Sequence, residues 1–418
     1  MTSAEHLTRI DQPPDHVFQQ GADAETQLDR LLASARDLRP NLLAEQETTE
    51  RRSRYSAEMH EKFLAAGFYR MLQPLRFGGL ELGVAAFYKV IAMVARGCPS
   101  TAWCLALGAG HSLQIGSYFS ERAQHEIFTS HGYCISPVSG NASKARVSRA
   151  SGGYRISGKW SYCSGAPYST HFMGIVTLPH DGLPPEVRPG SYWFVVPRGG
   201  YTVLEDWTGV IGLRGSGSNS IVLKDAFVPD HLLISIDDMQ ACDGHTAGTL
   251  LHDNPLYGGT YTGYSEGDIT AVACGTALAA IDEYVRLVMK PNSSGQRRAA
   301  KQDYQRWLGN ALSMADSAMA ICVRGGQLYE EQASRSVKGV APFDQKASLR
   351  LRSMYFTAQQ LAAETVETLL RMAGSGATMD GQRMQRYSRD MLAIRTRFDQ
   401  LERIAPEVGR LYLALEPA

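Results

Sequence analysis

Apolar side chains recur every three or four positions near the start of the chain, which is the spacing of a helix with one buried face. The first such set is Leu28, Leu31, Leu32, Ala35 and Leu38. A second helix is predicted over 56–66, where Ser56 is in position to cap its start. Further helical patterns lie near 83–96 and 100–118. The pattern therefore predicts an N-terminal helical domain over 25–131.

From position 132 the pattern changes to short apolar runs that glycine and proline interrupt, which is typical of β-strands joined by turns. Gly152 and Gly153 separate the first two runs and favour a hairpin turn. Strands are predicted over 145–149, 154–156, 171–177, 191–196 and 220–223. The sequence thus predicts a central antiparallel β-domain over 132–236.

The remainder of the chain, 237–418, is predicted as a loop followed by a helical bundle. Glycine and tyrosine are frequent in 237–266, and a loop of this length suggests either a cover over a pocket or a subunit contact. Long helical patterns then follow at about 267–290, 300–334, 344–373 and 383–412. Four long helices with short breaks indicate a four-helix bundle. The predicted fold class is α+β, with helices on both sides of the β-domain in sequence.

Composition excludes some classes of function. The chain has 418 residues with 42 basic and 42 acidic side chains, so its charge favours neither nucleic acid nor an anionic membrane as a partner. No apolar run approaches the roughly 20 residues that span a bilayer, and the start lacks a signal-peptide pattern. We therefore expect a cytoplasmic protein. The seven cysteines are scattered, with no spacing typical of a metal site, and are expected to be reduced and mostly buried.

Two segments are the most informative part of the chain. The first, 158–165, reads GKWSYCSG and ends a strand pattern in aromatic residues followed by a serine and a glycine. The second, 207–218, reads WTGVIGLRGSGS and leads into another strand pattern. Alternation predicts that Trp160 and Tyr162 share one face of a strand. Taken singly, the aromatic pair fits a sheet core and the glycine-rich run fits an ordinary hairpin.

Together, in this order and at this spacing, the two segments resemble those of the acyl-CoA dehydrogenase superfamily. The closer resemblance is to its oxygen-using branch, the oxygenase components of two-component, reduced-flavin-dependent (group D) monooxygenases. By this resemblance Trp160 backs the flavin ring, and the Ser164 hydroxyl reaches the N5 edge. Other positions implied to contact the cofactor are Ser139, Ser216, Arg297 and the glycine turn at Gly374 and Gly376, which faces a neighbouring subunit's flavin. Arg297 or Arg298 fits a flavin phosphate, or else a solvated basic run.

Two positions are candidates on the substrate side. Many dehydrogenases of the superfamily carry a carboxylate base in an E-G-T run after an R-D pair, but Arg389 and Asp390 are not followed by one. The monooxygenases usually place a histidine there, whereas this chain has Arg397, which suits a substrate carboxylate or phenolate, or a surface position. His111 lies where the relatives place another histidine. An imidazole accepts a phenol proton near neutral pH, while a buried core histidine is the alternative.

The resemblance implies hydroxylation of an aromatic or phenolic substrate with O2 and a reduced flavin, FMNH2 or FADH2, through a C4a-hydroperoxyflavin. A separate NAD(P)H:flavin reductase is expected, since no strand is followed by a nicotinamide G-x-G-x-x-G fingerprint. A homotetramer is expected because the family's bundle packs against copies of itself. The alternatives are oxidation of an acyl thioester, oxygenation of nitrogen or sulfur, and a catalytically silent scaffold on the same fold.

Overall fold

The computed structural model describes residues 24–139, 142–178, 187–240, 244–291, 294–396 and 400–413. Within these ranges six α-helices precede the first strand: α1 (Ala24–Arg52), α2 (Ala57–Ala66), α3 (Val84–Ala95), α4 (Pro99–Gly110), α5 (Ser112–Tyr118) and α6 (Glu121–Thr129). The predicted helix over 56–66 is confirmed, since the Ser56 side chain accepts a hydrogen bond from the Met59 amide, and Gly67 ends the helix with φ 81°.

The helix predicted over 100–118 is in fact two helices. The chain turns at His111, which closes α4 and begins α5 with φ −68° and ψ −9°. No proline or positive φ marks this break, and hydrophobic spacing alone therefore does not reveal it. The turn directs the His111 side chain toward the segment that enters the β-domain, where its Nδ1 lies 2.7 Å from the Ser136 carbonyl oxygen.

The central region forms two four-stranded sheets with orders β1-β4-β5-β8 and β2-β3-β7-β6. Their strands are β1 (Val138–Ser139), β2 (Ala142–Ala150), β3 (Gly153–Trp160), β4 (His171–Leu178), β5 (Gly190–Pro197), β6 (Thr202–Val203), β7 (Ile221–Pro229) and β8 (Leu233–Ser235). Every pairing is antiparallel except that of the short β1 with β4. Each predicted strand is present, and Gly152 makes the predicted turn with φ 74°.

The segment 237–266 is not the single long loop that its composition predicts. It contains three short helices: α7 (Ile236–Gln240), α8 (Ala247–His252) and α9 (Tyr261–Tyr264). Its tyrosines are mostly buried, and Tyr257 and Tyr264 pack into the helical core. The glycines allow that packing, because a Cβ at Gly259 would lie 2.3 Å from the Tyr329 ring.

The C-terminal helices are α10 (Gly267–Met289), α11 (Gln302–Val337), α12 (Gln345–Ala373), α13 (Arg383–Arg395) and α14 (Gln400–Tyr412). The predicted fourth helix is therefore divided into α13 and α14. The N-terminal helix α3 packs against α10 and α11, so that one apolar core joins the first helices to the bundle. A second apolar core lies in the β-region. The α+β architecture that the sequence predicts is confirmed.

The structure also describes the cysteines, possible metal ligands and possible membrane-spanning helices. The six cysteines within the described ranges are buried and free of disulfides, while Cys242 lies outside these ranges. Among the described residues no three or more His, Cys, Asp or Glu side chains group as metal ligands would. None of the helices described is long and apolar enough to cross a membrane.

Candidate active site

The two motif segments meet at the end of β3. Beyond Trp160 the chain leaves the sheet, and the Gly165 amide donates to the Ser216 carbonyl oxygen at 3.0 Å, while the Cys163 amide donates to the Asn219 carbonyl oxygen at 3.2 Å. Helix α4 covers this junction, where the Cys104 thiol donates to the same Ser216 carbonyl oxygen at 2.9 Å. The two motif segments, which lie about fifty residues apart in the sequence, thus form one buried surface together with α4.

A chain of hydroxyl groups lies within this surface. Ser164 Oγ is 2.7 Å from Ser218 Oγ, which in turn is 2.6 Å from Ser216 Oγ. The indole Nε1 of Trp103 on α4 donates to Ser164 Oγ at 2.9 Å. We call Ser164, Ser218 and Ser216 the serine chain.

Donor and acceptor counts constrain the serine chain. Ser216 is fully buried, and among the described residues its hydroxyl has Ser218 as its sole hydrogen-bond partner. Ser216 therefore donates to Ser218, because its proton would otherwise have no acceptor, at a cost of about 1–3 kcal/mol. Ser218 and Ser164 share one further bond, so that one of their two protons is left for an acceptor outside the described protein. When Ser218 is the donor, Ser164 accepts from both Trp103 and Ser218, and the proton that is left is that of Ser164.

The aromatic residues of the first motif do not share a face, contrary to the prediction. Strand β3 ends at Trp160, and Tyr162 has φ 62°, a left-handed conformation that costs a non-glycine residue about 1–3 kcal/mol. Trp160 is 0% exposed and packs edge-on against Phe172 and Phe194 in the β-region core. Its burial therefore gives no support to the predicted contact with a flavin ring, which stays a prediction.

Tyr162 presents the aromatic surface that Trp160 does not. Its ring is 65% exposed and lies edge-to-face with Trp207 of the second motif, with 5.9 Å between ring centroids. The Trp207 Nε1 donates to the Leu213 carbonyl oxygen at 3.1 Å, which fixes the indole on its loop. A strained residue that exposes a large ring beside a buried hydroxyl donor suits the binding of a flat ligand.

His111 is a neutral imidazole with a defined orientation. Its Nδ1 lies 2.7 Å from the Ser136 carbonyl oxygen, so Nδ1 carries the proton and Nε2 is an acceptor. Burial lowers the pKa of His111 to about 4, although the bond to Ser136 opposes this shift. His111 is eight residues beyond Trp103, or ~12 Å along a helix. The prediction that both residues belong to one site therefore places His111 and the Ser164 hydroxyl on different parts of it.

Two predicted cofactor contacts are placed inside the protein. The Ser139 hydroxyl donates to the Ser161 carbonyl oxygen at 2.7 Å, so Ser139 braces the first motif from β1. Ser216 is fully buried, which gives no support to the prediction that its side chain touches the cofactor. It belongs to the site only through Ser218 and Ser164.

The other predicted positions lie at one end of the bundle or outside the described residues. Arg297 is exposed, and so are Gly374 and Gly376. The neighbouring Arg298 donates to the Ala373 carbonyl oxygen at 2.6 Å, which brings this group together at the ends of α10 and α12. Arg298 is thus occupied in the bundle, and Arg297 stays the predicted phosphate ligand. Arg397 lies outside the described residues.

Sequence reasoning missed Trp103 and Ser218. Trp103 lies in a helix whose faces are nearly all buried, so periodicity does not distinguish it from core residues. Ser218 was visible as part of the glycine-serine run, but only the folded loop shows that it connects Ser216 with Ser164.

Comparisons with known proteins agree with the fold. Residues 268–398 match the acyl-CoA dehydrogenase C-terminal domain. A pigment production hydroxylase of Rhodococcus sp. (strain ATCC 21145) is 28% identical over 354 residues, which is 84% of this chain and 87% of that protein. The oxygenase component of p-hydroxyphenylacetate 3-hydroxylase from Acinetobacter baumannii is 24% identical, with 93% and 90% covered. The crystal structure of the HsaA monooxygenase from Mycobacterium tuberculosis superposes with a TM-score of 0.81 at 26% identity, covering 94% of this chain and 98% of that one.

The helix–sheet–helix order is shared with the HsaA structure, and the match over 268–398 is to the acyl-CoA dehydrogenase C-terminal domain. The chain therefore resembles proteins of the acyl-CoA dehydrogenase fold. Among them it is similar to the oxygenase components of two-component flavin-dependent monooxygenases.

Proposed function

We propose that this protein is the oxygenase component of a two-component flavin-dependent monooxygenase, which hydroxylates an aromatic or phenolic small molecule with reduced flavin and O2. The observation that carries the proposal is the serine chain, which leaves one hydroxyl proton, that of Ser164 when Ser218 donates to it, for an acceptor outside the protein. A flavin offers such an acceptor on the edge that carries N5, at the C4 carbonyl oxygen in every redox state and at N5 itself when the ring is oxidised. Its flat ring also fits the exposed Tyr162. The residues present thus fit the cofactor.

Each residue of the site has a distinct task. The bound reduced flavin supplies the activation of O2, and Ser164 supplies a hydrogen bond to the cofactor's polar edge. On the substrate side His111 accepts a proton at Nε2 while Ser136 holds the other nitrogen. A phenol that loses its proton becomes a better nucleophile toward oxygen, which is why the phenolic class fits a neutral histidine. Arg397 is proposed to orient a substrate carboxylate or phenolate.

Thioester oxidation is less well supported. It requires a carboxylate placed to remove a carbon-bound proton, and the R-D pair contributes none. Asp390 is buried and accepts a hydrogen bond from the Leu213 amide at 2.6 Å. The acidic side chain is thus engaged with the second motif.

The proposed assembly includes a separate NAD(P)H-dependent flavin reductase and a homotetramer in the cytoplasm. Support for self-association comes from exposed apolar side chains on the bundle helices: Val285, Met289, Leu312 and Leu392. Contact between copies would also bring a neighbour's cofactor to Arg297, Gly374 and Gly376. Light scattering of the purified protein tests this assembly, and a monomer that hydroxylates at full rate would contradict it.

A turnover experiment tests the function. Purified protein receives FMNH2 or FADH2 from an added reductase, air and a panel of phenols, and hydroxylated product is measured against hydrogen peroxide. We expect product to form with at least one phenol and with reduced flavin only. Bleaching of tightly bound oxidised FAD by an acyl-CoA would support the dehydrogenase alternative. Absence of flavin binding in either redox state would leave a scaffold.

Replacing Tyr162 by alanine is expected to weaken flavin binding about 2- to 13-fold, because a ring contact of about 0.5–1.5 kcal/mol is lost. The free energy of unfolding should change by less than ~0.5 kcal/mol, since the side chain is exposed. Flavin titration and chemical denaturation measure the two effects. Phe227→Ala is the matched control, an exposed aromatic residue on β7 away from the site. If both variants lose flavin affinity equally, Tyr162 does not belong to the binding surface.

A further inference from the structure

Asp390, near the end of α13, holds the loop of the second motif. Its carboxyl group is 1% exposed, and Oδ1 accepts a hydrogen bond from the Leu213 amide at 2.6 Å. The preceding Arg389 donates to the Ile211 carbonyl oxygen at 3.0 Å. Consecutive residues of one bundle helix thus bind both sides of Gly212.

The loop needs this anchor because its conformation is strained and tightly packed. Leu213 has φ 51°, which costs a branched side chain about 1–3 kcal/mol. A Cβ at Gly212 would lie 1.9 Å from the Arg389 carbonyl oxygen, so that the loop backbone lies directly on α13. The Leu213 carbonyl oxygen in turn accepts from Trp207 Nε1 and from the Ser216 amide.

The anchored residue is directly connected to the serine chain. Ser216 follows Leu213 by three residues, and its amide donates to the Leu213 carbonyl oxygen at 3.0 Å. A shift of Leu213 therefore moves Ser216 and Ser218, which orient the Ser164 hydroxyl. None of the contacts between Asp390 and Ser164 requires Asp390 to touch a ligand.

We propose that Asp390 is a positioning residue, which by anchoring Leu213 to α13 keeps the serine chain in register and so limits loss of activated oxygen as hydrogen peroxide. This inference rests on the proposed function. It adds a link between the bundle and the N5 edge of the cofactor that the two motifs alone do not contain.

The charges around Asp390 make the anchor sensitive to pH. Burial raises the pKa of Asp390 to about 7; the bond from Leu213 lowers it, nearby Glu50 on α1 raises it, and Arg389 and Arg386 lower it. Arg389 also pairs with Glu50 at 2.9 Å, and the buried Cys98 thiol lies within electrostatic range. An ionised carboxylate accepts the Leu213 bond more strongly than a protonated one. The anchor should therefore weaken as pH falls through about 7.

The test compares wild type with Asp390→Asn in the full-length protein, because the Asn oxygen can still accept from Leu213 but does not titrate. With the reductase, reduced flavin and a turned-over phenol, the wild-type peroxide fraction should rise about threefold from pH 8 to pH 6. Dividing the wild-type peroxide fraction by that of Asp390→Asn at each pH cancels the titration of groups that the two proteins share. We expect this ratio to change with pH, with a midpoint near pH 7. An Asp390→Asn profile that parallels the wild type would overturn the proposal.

A second readout needs no turnover. Trp207 reports on Leu213 directly, and its fluorescence is obtained as the difference between a protein and its Trp207→Phe variant. Acrylamide quenching of Trp207 should increase as pH falls from 8 to 6 in wild type and stay constant with Asp390→Asn. If quenching depends on pH in wild type but no phenol is hydroxylated, the role of Asp390 as an anchor is supported and the proposed function is rejected. Quenching that ignores pH in both proteins would reject the anchor.

Gly212→Ala displaces the loop without changing any charge. The added Cβ meets backbone, which has no room to give, and the peroxide fraction should rise at every pH. Gly199→Ala is the matched control, because the Cβ there meets nothing within 4 Å. A folded Gly212→Ala protein whose peroxide fraction equals that of the wild type would contradict the proposal. If Gly212→Ala does not fold, the Asp390→Asn comparison decides the matter.

Discussion

Replacing Ser164 by alanine is expected to divert most of the reduced flavin to hydrogen peroxide, with hydroxylated product falling about 10²-fold. The substitution removes the donor that Trp103 and Ser218 orient toward the cofactor, and loss of one preorganised donor typically costs 10²–10³ in rate. Product and peroxide are quantified per reduced flavin supplied. Flavin affinity should fall much less, because one hydrogen bond contributes only about 0.5–1.5 kcal/mol to binding.

Ser169→Ala is the control for Ser164. Ser169 is also buried, five residues along the same segment, and its hydroxyl bonds to the Ala166 carbonyl oxygen and to Tyr201 instead of the serine chain. It should lose some stability and keep the wild-type ratio of product to peroxide. If Ser164→Ala gives the same ratio of product to peroxide as Ser169→Ala, the Ser164 hydroxyl has no role in retaining activated oxygen.

Replacing His111 by glutamine is expected to lower the hydroxylation rate by about 10²- to 10⁴-fold, the usual contribution of a positioned base. Glutamine fills similar space but does not accept a proton near neutral pH. The rate is measured at saturating substrate, so that weaker binding is separated from slower chemistry. Because burial lowers the pKa of His111 to about 4, the wild-type base should stay unprotonated throughout pH 6–8.

His60→Gln is the matched control for His111. Burial lowers the pKa of His60 to about 4 as well, but its Nδ1 lies 3.0 Å from the Tyr69 hydroxyl, within the N-terminal helices. This variant should change stability and leave the rate per folded molecule as in wild type. A His111→Gln protein that turns over normally would reduce His111 to a buried core residue.

The lowered pKa of His111 also predicts how folding stability depends on pH. The unfolded chain takes up a proton near pH 6.5, whereas the folded chain resists it until about pH 4. Stability is therefore lost as pH falls from about 6.5 through 4, by about 3 kcal/mol for this residue. Denaturant unfolding of His111→Gln should show a flatter dependence on pH than wild type in this range. An unchanged slope would mean that His111 titrates normally.

The architecture was predictable because its signals are periodic. Alternating strands, the Ser56 cap and the long helical stripes each leave a local pattern, and all of these elements are present. The divisions at His111 and between α13 and α14 were not predictable, since both halves of each pattern continue the same spacing. Likewise, the composition of 237–266 does not reveal that its tyrosines become core residues.

The site was predictable only in part. The motifs indicate Ser164, and the structure places it where the two segments meet, but the motifs could not distinguish Trp160 from Tyr162. That choice depends on where β3 ends and on the positive φ of Tyr162, and neither follows from alternation. The partners of Ser164 come from α4 and from a loop more than fifty residues away. Pairings at such a separation arise from tertiary packing, which a single sequence does not display.

The burial of the cysteines has a consequence for an enzyme whose failed turnovers generate an oxidant. Thiols react with hydrogen peroxide as thiolates. Burial raises the pKa of Cys98 to about 11 and of Cys134 and Cys163 to about 12, so these groups stay protonated under working conditions. The described thiols would thereby be protected against the hydrogen peroxide that the proposed reaction releases, and we expect added catalase to change their oxidation little.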